Sequence, residues 1–488
     1  MLVAVCSIRH IRLYLVCASL LCGLNAQGQS FEEYRKKSQA QFNQYRQEQQ
    51  EAANSYRDKI NREFSAMLGR PWKSFSHTPP HDNPLKDVPP PPIPSAPQSR
   101  QPGRDTRYKT VTIKPAPQGQ AADRLPPLEK ETAVQTAALR FTFMGEPCTV
   151  HAGKRVAPAS TAESDIARAW EAMSCPEYNL LAGDFQAIRS DLGLCDWAAL
   201  QLAEETAFNV CRSRTSAEAV MLQMWLLSQA GMEAVMAVDE SGRLRLLVAT
   251  DKQLFDYPAF FVDDVVFYVA DGAPVRTARV QACRFPGTRP LRMAFTRPAT
   301  AHENPAQGKR STVDGTRIRF YDGYPEFCDE GLPLSGFYYM AMVPLSRSAK
   351  EALYPSLKSR IAGKSATEAA GILLTYIQKE FPYREDEKVW NKERYFLAEE
   401  TLCYDYSDCE DRAILYSWLV RDLLGLKTAL VYYPGHLATA VRFGSSVDGD
   451  ATFINGERYL ICDPTYFGAG IGEEMPGVDK SKASVIPL

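Results

Sequence analysis

Ser407-Asp408-Cys409-Glu410-Asp411-Arg412-Ala413 is the stretch around which this 488-residue chain is read. Ser407-x-x-Glu410 has the form of a capping box, which starts a helix by satisfying its free N–H groups. The apolar positions Ala413, Ile414, Leu415, Trp418, Leu419, Val420, Leu423 and Leu424 continue that helix, and Gly425 stops it. Cys409 then falls in the first turn, where the helix dipole and unpaired amides favour a thiolate. Downstream, Thr428 to Tyr433 and His436 to Phe443 are β-prone runs joined at Pro434-Gly435, so His436 opens the second arm of a hairpin. Asn455-Gly456 makes another tight turn, and Arg458 to Cys462 forms a strand that delivers Asp463 before Pro464 ends it.

Cys409, His436 and Asp463 stand in that order, 27 residues apart each time. A helix start, a neighbouring strand and the next strand's end can bring thiol, imidazole and carboxylate into line. The imidazole would take the thiol proton and the carboxylate would fix its tautomer. At these residues the chain resembles the transglutaminase-like superfamily. That family's Cys-x-Asp-x-Ala matches Cys409-Glu410-Asp411-Arg412-Ala413, its strand-borne His matches His436, and its Asp-Pro-Thr matches Asp463-Pro464-Thr465. The chain has Ser407 where members often have Gly, and Leu437-Ala438 where a small residue and an aromatic often follow the His. The resemblance implies an α+β fold with a papain-like core, a helix packed on antiparallel sheet, at the C-terminus. It also implies a Cys409–His436–Asp463 catalytic triad. The Cys409 amide is the expected first oxyanion donor, with Gln378 and Tyr406 as candidates for the second.

Residues 1–26 read as a secretory signal: Arg9 and Arg12 precede the apolar run Leu13 to Leu24, and Asn25-Ala26 offers a cleavage point. No later apolar run approaches the roughly 20 residues that span a bilayer. The expected location is secreted, periplasmic or cell-envelope. A net charge of −2 gives no field that would favour nucleic acid. Of twelve cysteines three lie in the signal, so nine remain, an odd number that requires at least one unpaired thiol in an oxidising compartment.

Residues 27–75 form a charged helix in which Phe31-x-x-Tyr34-Arg35, Phe42-x-x-Tyr45-Arg46, Ala53-x-x-Tyr56-Arg57 and Phe64-x-x-Met67 recur every 11 residues. Eleven residues make about three turns, so the aromatics share one stripe. Residues 31–75 are therefore either a partner-binding or self-associating surface, or a helix folded onto its own domain. Residues 76–130 form a Pro-rich linker, since Pro79 to Pro127 contains fourteen of the 33 prolines. Residues 131–290 copy the order of the C-terminal part: Thr215-Ser216-Ala217-Glu218 as a capping box, a helix with Trp225, Gly231, three strands, then Asp271. Aligning Trp225 with Trp418 sets Ser216 opposite Cys409. No His occurs between His151 and His302, so the copy is degenerate. Residues 291–345 read as a β-rich bridge, with Phe337 to Val343 as a strand, and 346–488 as the catalytic domain. Gly468 to Gly477 is expected to wall the cleft, and the acidic residues Glu399, Glu400, Asp405, Asp408, Glu410 and Asp411 to form a solvated face.

The function expected is that of a secreted cysteine-dependent acyl-transfer enzyme. It would act on amide bonds of a protein or peptide through a Cys409 thioester, by hydrolysis rather than cross-linking, without cofactor or metal. A zinc site of Cys409, His436 and Asp463 is discounted, because no close ligand pair such as Cys-x-x-Cys is present. The competing class is a cell-envelope binding or scaffold protein with a vestigial triad.

Overall fold

The computed structural model describes residues 31–85, 90–94, 103–113, 135–144, 146–293, 325, 327–329, 332–391 and 393–488; the signal-like segment lies outside them. The chain divides into Met1–Arg57 and Asp58–Leu488. In the first unit the described residues are helical and open α1 (Phe31–Leu68), with Phe42, Tyr45 and Tyr56 of the aromatic stripe exposed. In the second, the last turns of α1 bury Ile60, Phe64 and Leu68. The Phe64 ring stands edge-on to Trp170 at 5.0 Å and to Phe285 at 5.1 Å. Over these residues the stripe is a core face of its own domain.

The second unit continues with β1 (Lys73–Ser76), β2 (Lys109–Thr110), β3 (Ala137–Phe143), β4 (Glu146–Ala152), α2 (Glu163–Met173), α3 (Pro176–Asp191), α4 (Asp196–Cys211) and α5 (Ala217–Gln229). Then come β5 (Ala234–Asp239), β6 (Leu244–Ala249), β7 (Gln253–Leu254), β8 (Ala259–Val262), β9 (Val265–Val269), β10 (Thr277–Val280) and β11 (Phe327–Cys328). The C-terminal part comprises α6 (Ser335–Met342), α7 (Arg347–Ile361), α8 (Ala366–Glu380), α9 (Asp386–Trp390), α10 (Ala398–Thr401) and α11 (Cys409–Leu424). It ends with β12 (Thr428–Tyr433), β13 (His436–Val441), β14 (Ala451–Ile454), β15 (Glu457–Cys462) and β16 (Ser484–Pro487). The architecture is mixed helix and sheet with antiparallel sheets, compatible with α+β.

Two six-stranded sheets organise it, in the orders β1-β10-β5-β6-β9-β8 and β14-β15-β13-β12-β16-β2. Strand for strand, β10-β5-β6-β9-β8 repeats as β16-β12-β13-β15-β14. Side chains alternate across each strand. In the first sheet Met236, Leu246 and Val248 join the helices in one cluster, while Val235, Leu247 and Phe267 build another. In the second, Leu430, Val441 and Leu460 meet the helices, and Val431, Ala440 and Ile461 build the opposite layer. Both faces are covered, which explains why these strands read as almost continuous apolar runs.

Two expected boundaries change. The Pro-rich span is not linker throughout: β2 pairs in parallel with β16, Lys109 beside Ser484 and Thr110 beside Val485, as an edge of the second sheet. Tyr108 is buried edge-on to Tyr433 at 5.8 Å. No proline occurs between Gly103 and Ile113, so the backbone donors a ladder needs are present. The expected strand Phe337 to Val343 is instead mostly helix α6, because the segment packs on α11, where Arg421 Nη2 donates to Ala341 O. Two further strand-like runs belong to the expected bridge: Leu291 to Phe295 is described only as far as Met293 and is not a strand to that point, and Arg317 to Tyr321 lies outside the described residues. Among the described residues no helix is long and apolar enough to cross a membrane.

Candidate active site

Helix α11 starts one residue later than the sequence pattern suggests. Asp408 is its N-cap, the Asp408 amide donates to Asp411 Oδ2 at 3.2 Å, and Cys409 is the first helical residue. Ser407 is displaced from capping because its Oγ accepts from Arg412 Nε at 3.2 Å. Gly425 closes the helix at φ 64°, a left-handed conformation that glycine adopts without a Cβ clash. Thr439 Oγ1, from β13, donates to Ala413 O at 3.1 Å and ties the helix to the strand beside it.

His436 opens β13 opposite Tyr433, and Asp463 follows β15 directly. His436 Nε2 donates to Asp463 Oδ2 at 2.7 Å, with both side chains buried. Asp463 Oδ1 accepts the amides of Thr465 at 2.9 Å and Tyr466 at 3.2 Å, which fixes the carboxylate. Cys409 and His436 line one cleft, and the thiol is close enough to add to the raised pKa of His436, so the structure brings the three expected residues into one neighbourhood. Burial alone would lower the His436 pKa, but Asp463 outweighs it, followed by Cys409, and the imidazolium persists up to about 10. The same thiol donates to Glu410 Oε2 at 3.1 Å.

Of the expected oxyanion candidates, Gln378 does other work. Its Nε2 donates to the carbonyls of Asp463, Tyr466 and Ala469 at 3.1, 2.9 and 3.1 Å, and its Oε1 accepts the Gly468 amide at 3.2 Å. It therefore holds the Asp463 turn in place. Gln378→Ala is expected to cost about 1–3 kcal/mol, because three buried carbonyls lose their donor. Chemical denaturation checks the figure, and a loss below 0.5 kcal/mol on that scale would contradict the role. Tyr406 stacks under Arg384, 4.1 Å from its guanidinium carbon, and does not line the cleft. The Gly468–Gly477 loop is likewise absent from the cleft wall.

The cleft over Cys409 and His436 has a volume of about 530 Å³. Its walls come from Leu85, Pro90, Phe337, Tyr395 and the acidic residues Glu385, Asp386, Glu387 and Glu393, a set that motif reading missed. The acidic residues are no solvated face: Glu399, Glu400, Asp408, Glu410 and Asp411 are buried, and only Asp405 of the six is exposed. Asp386, Glu393, Asp408 and Glu410 converge, each offering an oxygen within 4.8 Å of the others. Asp408 Oδ1 and Glu410 Oε1 are buried without a hydrogen-bond partner. Burial pushes Asp386 up to about 9 and Asp408 up to about 7, and raises Glu410 well above the usual carboxylate range, with Asp408 adding to it. The Arg394 amide donates to Asp386 Oδ2 at 2.7 Å, while its guanidinium stacks over Trp390 at 4.6 Å, which ties the ends of this loop to each other.

Oxygens around a calcium ion sit about 2.3–2.6 Å from it, so ligands on opposite sides lie roughly 5 Å apart. The 4.8 Å limit on the four oxygens fits that shell. These four carboxylates could hold a hard divalent cation beside the thiol. A soft thiolate-preferring ion does not suit an all-oxygen set. No protein-family model, curated protein or solved structure matches the chain.

Proposed function

We propose that the chain is a cysteine-dependent acyl-transfer enzyme acting on amide bonds of proteins or peptides, with a papain- and transglutaminase-like core. The single observation that supports it best is the buried His436–Asp463 pair, with His436 and Cys409 lining the same cleft. In this reading the Cys409 thiolate attacks the amide carbonyl and an S–C bond forms. The C–N bond breaks as His436 gives its proton to the leaving amine. Water then attacks the thioester, His436 takes the water proton, and the C–S bond breaks to release the acid. The Cys409 amide, at the first helical position, is one of the N–H groups a helix leaves unbonded, and is suited to the oxyanion. Hydrolysis is favoured over cross-linking because water is the default acceptor. The signal-like leader makes an exported enzyme the matching location, and the exposed aromatics of residues 31–57 supply a surface for a partner.

An activated ester tests the chemistry without knowledge of the natural substrate. p-Nitrophenyl acetate is expected to release one equivalent of nitrophenolate in a burst, with an acetyl group on Cys409 by mass spectrometry. Cys409→Ser should lose the burst. Hydroxylamine should accelerate turnover less than tenfold if water is the natural acceptor; a larger gain would favour transfer. A wild-type protein that shows no burst and no acetyl-Cys409 would return the chain to the scaffold reading, in which the triad is vestigial.

A further inference from the structure

Tyr433, the last residue of β12, pairs with His436, the first of β13, across the Pro434-Gly435 turn. Residues directly opposite on an antiparallel pair share one face of the sheet, so their side chains meet. The two rings lie nearly parallel, 22° apart, with centroids 6.1 Å from each other. The Tyr433 ring is itself held: it is buried, and its hydroxyl donates to Glu474 Oε1 at 2.5 Å. The Glu474 side chain is only 2% exposed, and two more donors converge on it, the Tyr108 hydroxyl on Oε1 and the Lys480 ammonium on Oε2. Lys480 balances the charge of this buried carboxylate.

Tyr108 arrives from the segment that the sequence reads as linker, and that segment is fastened to the second sheet. The Arg104 amide donates to Asp450 Oδ1 at 3.0 Å and the Tyr108 amide to Thr452 Oγ1 at 3.3 Å. The Glu474 amide donates to Asp450 Oδ2 at 3.2 Å, so one carboxylate secures both Glu474 and the segment that brings Tyr108 to it. The bond from His436 Nε2 to Asp463 fixes one point of the imidazole and leaves the ring free to swing about it. A second contact, on the ring face, removes that freedom and keeps Nδ1, the nitrogen left to serve the thiol, on one bearing.

The first half of the chain serves as an internal comparison. There β5, which holds the place of β12, ends at Asp239, whose carboxylate binds Arg245 at 2.8 Å, and Arg245 also holds Asp271 at 2.9 Å. A guanidinium stays protonated and cannot serve as a base. Ser216, aligned in sequence with Cys409, instead caps α5 by accepting the Ala219 amide at 3.3 Å, and Ala217 holds the first helical position. The strand that ends in a tyrosine is the one that faces an imidazole.

We propose that Glu474 is a positioning residue for His436, acting by holding the Tyr433 ring against the imidazole, with Tyr108 as a second donor to the same carboxylate. The proposal rests on the acyl-transfer reading for its kinetic consequence, and on the stacked pair alone for its geometry. Full-length wild type, Glu474→Gln, Tyr433→Phe and the double variant are compared in the p-nitrophenyl acetate burst. The same proteins are compared by histidine-selective NMR, in which His436→Ala assigns the His436 ring signal. Glu474→Gln should lower the acylation rate constant about tenfold with KM within about twofold. Burst amplitude, which counts folded sites, and thermal melts separate this from loss of fold. Tyr433→Phe should act alike, and the double variant should be no slower than either, because both remove one contact. Tyr108→Phe should slow acylation by a smaller factor, since it leaves the bond from Tyr433 to Glu474. The ring signal should shift in both single variants. An unchanged rate constant, an unchanged ring signal, or losses that multiply in the double variant each overturn the proposal. If Glu474→Gln does not fold, Tyr433→Phe, which keeps ring and carboxylate, decides by the same readouts. A wild type without a burst fails the catalytic reading by itself, and the ring signal then decides whether Glu474 holds the imidazole.

Discussion

Iodoacetamide at neutral pH is expected to alkylate Cys409 ahead of the other thiols, and His436→Ala to slow that reaction by about tenfold or more. Among the described residues Cys148, Cys175, Cys195, Cys211, Cys283, Cys409 and Cys462 form no disulfide. Burial pushes Cys195, Cys211 and Cys462 up to about 12 and Cys283 up to about 11, which keeps them as unreactive thiols. Cys409 instead opens a helix and shares a cleft with His436, whose pKa is raised. Peptide mapping after a short exposure identifies the labelled residue; first labelling at another cysteine, or an unchanged rate in His436→Ala, would sink the assignment.

The same pair carries a pH signature. His436 is raised from 6.5 to about 10, with burial opposing and Asp463 prevailing. The folded protein therefore binds this proton more tightly than the unfolded chain. The resulting stability is fully present below pH 6.5 and is lost as pH rises through about 10. Asp463→Asn removes the cause of the shift, so its melting temperature should fall less than that of wild type over this window. Parallel profiles would refute the coupling.

Calcium is expected to raise the melting temperature by roughly 3 °C when present at a hundredfold excess over its dissociation constant. Saturation at that level is worth about 2.7 kcal/mol, and with an unfolding entropy of about 2.1 cal/mol/K per residue each kcal/mol shifts a unit as large as Asp58–Leu488 by about 1 °C. The physical cause is the convergence of Asp386, Glu393, Asp408 and Glu410, with two buried oxygens unpartnered. In water these charges would be solvated; inside the protein they repel one another until a proton or a cation intervenes. Glu393 is the half-buried member, so Glu393→Gln removes a ligand with the least disturbance to the core. That variant should lose most of the calcium shift. Magnesium, which demands shorter bonds and an octahedral shell, should stabilise less. Differential scanning fluorimetry with chelator, calcium and magnesium checks all three points. An equal shift in wild type and Glu393→Gln would show that the cation binds elsewhere.

Sequence alone determined what depends on neighbours along the chain. The α11 helix, its Gly425 stop, the Tyr433–His436 hairpin and the strand that ends at Asp463 follow from apolar period, turn residues and caps, which act over a few positions. The order of a helix and strands in the first half was legible for the same reason, down to Asp271. Tertiary structure decided the rest. Asp386 and Glu393 reach Asp408 and Glu410 only because the 381–408 segment folds back over the helix start, where Phe396 N bonds Asp411 Oδ1 at 3.0 Å. In sequence these carboxylates look like any hydrophilic surface run. The Ser407 hydroxyl was taken from capping by Arg412, a side chain whose aim local pattern does not specify. Lys109-Thr110 became an edge strand because β16 offered an unpaired edge, and Phe337 to Met342 became helix because its apolar side chains pack on α11. Caps and periods are local free energies of about a kcal/mol; burial and the meeting of charges are set by contacts across hundreds of residues, which override them.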